Sequence, residues 1–219
     1  MKISTDACIQ GAWTPIEPFV KNILDIGTGT GLLSLMLAQR NATATINAIE
    51  IDEQAAGQAA ANFRQSPWAE RLQLFHGDAK SYPFPKKYEL ILCNPPFFKN
   101  SLLGADGRRN HARHSLLFSL EDLIKRIEEN LRDEGYASVL LPVTEQKRWE
   151  ELIAAQGHFL SKRLLIHPAI GKPANRIITL SRKNALPVSD EALCIRGKQP
   201  QDYHSVFRSL MSPFYLDKG

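Results

Sequence analysis

Cysteine is scarce in this chain: Cys8, Cys93 and Cys194 lie far apart and at no pairing interval. That excludes a disulfide framework or a cysteine-based zinc knot and fits a reducing compartment, so a cytoplasmic protein is expected. Long apolar runs are missing too. No stretch approaches the roughly 20 residues that a membrane-crossing helix needs. Met1-Lys2-Ile3-Ser4 leads into mixed polar sequence without the apolar segment of a signal peptide. His111 and His114 have no Cys or Asp companion at ligand spacing, so no metal is expected. No internal repeat, low-complexity tract or composition break marks a second domain, and nothing marks an obligate protein partner. What is present suits a globular protein. Hydrophobic residues make up 43% of the 219, enough for a substantial core. The net charge of +4 is a mild surplus, compatible with an anionic partner without requiring one.

The chain can be arranged around Asn94-Pro95-Pro96-Phe97, which follows the apolar run Tyr88-Glu89-Leu90-Ile91-Leu92-Cys93. That run has strand character and must end abruptly, because two consecutive prolines lack the N–H groups that continue a ladder. Asn94 is therefore expected at a strand's carboxyl end, where open α/β sheets place their ligands. Its amide and the next carbonyl are stiffly presented, with Phe97 as an aromatic face beside them. An amide oxygen, a carbonyl and a stacking ring suit a planar group bearing an exocyclic NH2, such as a nucleobase or a carboxamide. The alternative is a proline-stiffened turn with Phe97 in the core.

Upstream, the short strand Ile23-Leu24-Asp25-Ile26 runs into Gly27-Thr28-Gly29-Thr30-Gly31 and then into a helical stretch from Leu32. Strand, glycine loop and helix in that order form a nucleotide cradle, in which glycines admit a ligand and helix N–H groups meet acceptor atoms. The G-x-G-x-G spacing, with Asp25 ahead of it, points to an adenosyl ligand whose amino-acid end meets the loop. A structural βα turn is the other reading. A second strand over Thr45 to Ile49 ends at Glu50, about 20 residues on, where an acid meets ribose hydroxyls in this architecture. Two carboxylate oxygens match two vicinal hydroxyls. Asp52 is better placed as the cap of a helix from Glu53 to Arg64. A third strand, Arg71 to His76, leads to Asp78, either an acceptor for an adenine amino group or the cap of its own turn.

After Phe98, Lys99 to His114 carries Lys99, Arg108, Arg109 and Arg113 against Asp106, a balance of 4 − 1 = +3. It reads as a loop beside the site, closing on phosphates or merely solvated. A helix from Ser119 to Leu131 is expected to stop at Gly135, ahead of a strand over Tyr136 to Pro142. A helix from Glu145 to Gln156 follows, then an antiparallel pair, Phe159 to His167 and Arg176 to Leu180. Six basic residues and no acid fall between Lys162 and Lys183, including Lys172 and Arg176. They form either a nucleic-acid track at one sheet edge or the charges that keep an edge strand from pairing. Residues 1–20 show no clear period and are expected to cap an edge, 20–182 to form the core, and 183–219 to add a short helix and a docked end.

Taken together, a glycine loop after the first strand, acids after the second and third, and N-P-P-F after the fourth resemble the Rossmann-like class I methyltransferase fold: α/β, with a mostly parallel sheet and an antiparallel closing strand. The N-P-P-aromatic element resembles enzymes that methylate adenine N6, guanine N2 or the glutamine amide of release factors. Met1 to Asp6, Gly11-Ala12-Trp13, Leu33 to Arg40, Gln65 to Arg71 and Phe214-Tyr215-Leu216 resemble the bacterial tRNA1(Val) adenine-N6 methyltransferase family, over nearly the whole chain. The chain departs from that family's pattern in starting at the Lys-x-x-Thr-Asp stretch and in carrying Phe97 where tyrosine is more frequent. The resemblance implies S-adenosylmethionine as methyl donor and tRNA as substrate, acting on the adenosine next to the anticodon. It implies catalysis by Asn94, Pro95, Pro96 and Phe97, and cofactor binding by Asp25, Gly27, Thr28, Gly29, Gly31, Glu50, Asp78 and Asn94. Phe97, Arg108, Arg109, Arg113, Lys172 and Arg176 are the expected substrate contacts. A ribosomal RNA guanine-N2 enzyme or a release-factor glutamine enzyme are the alternatives within this chemistry, and an RNA-binding protein without activity the one outside it.

Overall fold

The computed structural model describes residues 4–95, 118–199 and 201–214. Eight strands form one sheet in the order β3-β2-β1-β4-β5-β7-β6-β8. Its parallel half consists of β1 (Asn22–Ile26), β2 (Thr45–Glu50), β3 (Leu72–His76), β4 (Tyr88–Cys93) and β5 (Leu131–Pro142). β7 (Arg176–Arg182) runs antiparallel to both β5 and β6 (Phe159–Ala169), and β8 (Ser189–Arg196) runs parallel to β6. This is the mostly parallel α/β sheet expected.

Strands buried on both faces need near-continuous apolar sequence, and β1 and β4 supply it: every residue of β4 is buried. One face packs α4 (Leu120–Asn130) and α5 (Gln146–Ala155), through Leu123, Ile127, Trp149 and Ile153, onto Ile26, Ile91, Val139 and Leu141. The other carries α1 (Thr5–Trp13), α2 (Leu32–Arg40) and α6 (Ser205–Met211) against Leu140, Ile166 and Ile178. The helix α3 (Glu53–Gln65) lies against β2 and β3.

Four expectations need correction. Residues 4–20 do not merely cap an edge: Thr5–Trp13 is a helix with Ile9 and Gln10 fully buried against the middle of the sheet. Gly135 does not stop a helix. Leu131 caps α4 and begins β5 at once, and a Cβ at Gly135 would stand 2.8 Å from the Glu89 carbonyl, so the glycine lets β5 approach β4. The tail adds an unforeseen strand, β8, tied to α1 where the Trp13 indole donates to Glu191 at 2.7 Å. Because β8 covers β6, neither strand that carries the run from Lys162 to Lys183 is an edge strand, so the run does not track along the side of the sheet.

Candidate active site

Register places the site. Ile26 on β1 is the partner of Ile49 on β2 and of Cys93 on β4, and Glu50 on β2 is the partner of His76 on β3. The residues just past these pairs, Gly27, Glu50-Ile51, Gly77-Asp78 and Asn94, therefore stand in a row along the carboxyl edge, one strand spacing of about 4.8 Å between neighbours. The chain crosses over on either side of β1, which makes this edge a topological switch point.

The glycine loop is built on left-handed turns at Gly27, Gly29 and Gly31, with φ of 71°, 59° and 86°. Its backbone is pinned to β2, as the Gly27 and Thr28 N–H groups donate to the Ile49 carbonyl at 2.9 and 3.1 Å. Two of the glycines are needed for different reasons. A Cβ on Gly31 would strike the Phe63 ring at 2.4 Å, so Gly31 lets α3 pack against the loop. A Cβ on Gly27 would meet nothing within 4 Å, so Gly27 borders open space that a ligand can enter.

Asp25 is fully buried beneath this loop. Its Oδ2 accepts from the Thr28 and Ser34 hydroxyls at 2.6 and 2.8 Å, while Oδ1 has no partner. Burial pushes its pKa up to about 6, against the opposing effect of those two hydroxyls. Glu50 holds the loop as well as facing the edge. Its Oε2 accepts from the Gly29 N–H at 2.8 Å, and its Oε1 from the Ile51 and Asp52 N–H groups at 2.9 and 3.0 Å. A carboxylate offers about four acceptor positions, so roughly one remains for a ligand hydroxyl. The expected match of both oxygens to two hydroxyls does not account for these three backbone bonds.

Asp52 is the N-cap of α3, accepting from the Ala55 N–H at 2.8 Å. Asp78 is half-buried, and its Oδ1 accepts from the Lys80 N–H at 2.9 Å, which is the turn-capping geometry. Asn94 is half-buried and Pro95 buried. The structure thus gathers Asp25, Gly27, Thr28, Gly29, Gly31, Glu50, Asp78, Asn94 and Pro95 along one edge. Pro96, Phe97, Arg108, Arg109 and Arg113 lie outside the described residues. Lys172 is exposed in the β6–β7 turn, and Arg176 begins β7 opposite Pro142, its guanidinium 3.3 Å from the Asp6 carboxylate. Both stand on the same edge, two to three strands beyond Asn94.

One contributor was not foreseen. Gln10 on α1 donates its side-chain amide to the carbonyls of Cys93 and Ser138, at 3.2 and 3.0 Å, and its own oxygen is buried without a partner. The Cys93 carbonyl belongs to the peptide bond that carries the Asn94 nitrogen, so α1 is tied directly to the start of the N-P-P-F element. The available signal was a lone amide in Cys8-Ile9-Gln10-Gly11-Ala12, a run otherwise of apolar or small residues. The adjacent Cys93 thiol is not poised to react, because full burial holds its pKa well above the usual range. Among the described residues, no His, Cys, Asp or Glu cluster could hold a metal ion, and no helix is long and apolar enough to cross a membrane.

An adenosyl-sized ligand with an ammonium end fits these features: open space over Gly27, an unpaired buried Asp25 oxygen, and spare acceptor capacity on Glu50. Comparisons with known proteins agree with the geometry. Residues 14–116 match the Methyltransferase small domain. A predicted O-methyltransferase from Agrobacterium tumefaciens superposes with a TM-score of 0.72 at 19% identity, over 95% of this chain and 96% of that one. A glycopeptide N-methyltransferase solved with S-adenosylmethionine superposes at 0.58 and 11% identity, over 84% and 96% of the two chains. These two likenesses establish the fold alone. Closer in sequence is a tRNA1(Val) (adenine(37)-N6)-methyltransferase of Dyadobacter fermentans, 39% identical over 99% of this chain and 91% of the relative. The enzyme of that name from Vibrio campbellii is 38% identical over 99% and 89%. The one from Bacteroides fragilis is 41% identical over 81% and 76%. With the edge built as such chemistry requires and identity sustained over almost its whole length, the chain belongs to the tRNA1(Val) (adenine(37)-N6)-methyltransferase family.

Proposed function

We propose that this protein transfers a methyl group from S-adenosylmethionine to the exocyclic N6 of the adenosine next to the anticodon in tRNA1(Val). The observation that carries the reading is the register of Ile26 with Cys93, which sets the glycine loop and Asn94 side by side. Family membership supplies the substrate.

When bound, S-adenosylmethionine supplies an electrophilic methyl on a sulfonium. Gly27, Gly29 and Gly31 would shape the loop that holds it, Asp25 and Glu50 would offer acceptors to its ammonium and ribose ends, and Asp78 would offer one to its adenine amino group. The harder task is activating the amine, whose lone pair is delocalised into the adenine ring. The Asn94 amide oxygen and the Pro95 carbonyl accept its two N–H bonds, which draws electron density back onto the nitrogen and aims its lone pair at the sulfonium methyl. Transfer then becomes a matter of positioning. Phe97 stacks on a base that has left its own stack. No strong base is needed, because the nitrogen becomes acidic once methylated and its proton can depart to solvent. The chain acts as one methyltransferase domain in the cytoplasm, without a metal or an obligate protein partner.

Tritiated-methyl transfer onto total tRNA, followed by digestion to nucleosides, tests this reading. Label in N6-methyladenosine supports it. Label in N2-methylguanosine, or in a protein glutamine with none in RNA, assigns one of the two related chemistries instead.

A further inference from the structure

The six basic residues between Lys162 and Lys183 look like one track in the sequence, but the sheet divides them into two. Because β6 runs parallel to β5 and β7 antiparallel, Lys162 and Arg163 near the start of β6 and Arg182 and Lys183 at the end of β7 fall at the amino edge. There they are neutralised. Lys162 pairs with Glu191, Arg163 with Asp190 and Glu150, Arg182 with Glu17, and Lys183 with Glu128 and Asp133. Lys172 and Arg176 fall at the opposite edge, the one that carries Asn94.

That edge gains further positive charge from the turn after β8. Arg196 ends β8, its guanidinium 3.9 Å from the Tyr203 ring centre and bonded to the Gln201 carbonyl and Tyr203 hydroxyl at 3.3 Å each. Three of its five donors stay unused by these bonds. Lys198 follows, exposed, and neither it nor Lys172 has an acidic partner among the described residues. Acids near these turns are Asp6, held by Arg176, Glu145, beside Arg148, and Asp202. Backbone bonds stitch the turns into a continuous rim. The Val143 N–H donates to Asn175, that of Asn175 to Ile166, that of Ile170 to Arg196, and that of Gly197 to Asp202. From Asn94 on β4 the rim extends over four strand spacings, roughly 20 Å, about the breadth of a nucleic-acid stem.

We infer that this rim, through Lys172, Arg176, Arg196 and Lys198, holds the phosphates of the anticodon stem while the base enters at Asn94. The inference rests on the proposed tRNA activity and adds where the RNA lies. With the carboxyl ends of β1, β2 and β3 given to the cofactor, the half of the edge from β5 to β8 is the side left for RNA. Phosphate contacts position a nucleic acid without reading its bases.

The test is fluorescence anisotropy with a labelled anticodon stem-loop across a salt series, alongside calorimetry with S-adenosylmethionine to verify that each variant is folded. Replacing Lys172 and Lys198 together by Gln is expected to reduce the salt slope of RNA affinity by about 1 per lysine. Lys162→Gln with Lys183→Gln, at the neutralised edge, is expected to leave it unchanged. An unmoved slope in the first variant, or an equal fall in both, overturns the rim. Wild-type protein that methylates tRNA in such a case keeps the proposed activity intact; wild-type protein that methylates no RNA removes the activity itself.

Discussion

Gln10 reaches from the first helix to the Cys93 carbonyl, 3.2 Å away, and so grips the peptide plane on which Asn94 is mounted. The same amide holds Ser138 on β5, whose hydroxyl also contacts Thr14 at 2.8 Å. Helix α1 thus braces this peptide from one face of the sheet, while its first turn reaches the carboxyl edge through Asp6 and Arg176. Its buried oxygen has no donor, an arrangement that costs stability and that an apolar residue would avoid. Against that cost stand the two carbonyls that its N–H groups hold.

Replacing Gln10 by Leu is therefore expected to lower kcat on tRNA by about tenfold, the scale of a small misplacement of a reacting group. Affinity for S-adenosylmethionine, measured by calorimetry, should stay within twofold. An unchanged kcat would mean that Gln10 only packs α1.

Glu50 braces the loop and is the proposed ribose acceptor, and Glu50→Gln disturbs both at once, so a large effect is expected. The amide NH2 would face N–H donors of Gly29 or of Ile51 and Asp52. The loss of charge-assisted bonds, about 1.5–3 kcal/mol each, predicts cofactor binding weaker by roughly 10- to 100-fold. Calorimetry checks this, and affinity within twofold of wild type would leave Glu50 as a loop brace alone.

Asp25 predicts a pH dependence of the ligand-free protein. Its folded-state pKa of about 6 lies above the ordinary 3.8, so between those values the folded chain holds a proton that the unfolded chain has lost. Stability from this group is fully present at low pH, falls as pH rises through that window, and levels off above it. The gap corresponds to on the order of 3 kcal/mol. Asp25→Asn removes that component. Thermal melts from pH 4 to 7 should show the variant gaining on wild type up to about pH 6. A constant difference would contradict the burial argument.

Much of the parallel half of the fold was legible because its strands are apolar or alternating runs, each followed closely by glycine, proline or an acidic residue. Glycine closes β1, Glu50 closes β2, Gly77 follows β3 and Pro95 follows β4 closely. The row of candidate residues along the carboxyl edge was legible for the same reason, since Gly27, Glu50, Asp78 and Asn94 lie at or just past those strand ends. What escaped depends on partners remote in sequence. Ser189-Asp190-Glu191 opens β8 with exposed polar residues, and only pairing with β6 and contacts to Arg163, Lys162 and Trp13 make it a strand. Gly135 was expected as a helix stop ahead of a strand from Tyr136, but β5 already begins at Leu131. The basic run was misread as one surface because strand direction, which divides it between two edges, is a property of the sheet.

The most direct test of the central claim is single-turnover methyl transfer by Asn94→Ala, scored as N6-methyladenosine in tRNA, with S-adenosylmethionine affinity measured on the same protein. Loss of the group that orients the amine is expected to slow transfer by roughly 10²-fold or more while the cofactor still binds. Transfer at the wild-type rate would show that Asn94 does not aim the nucleophile.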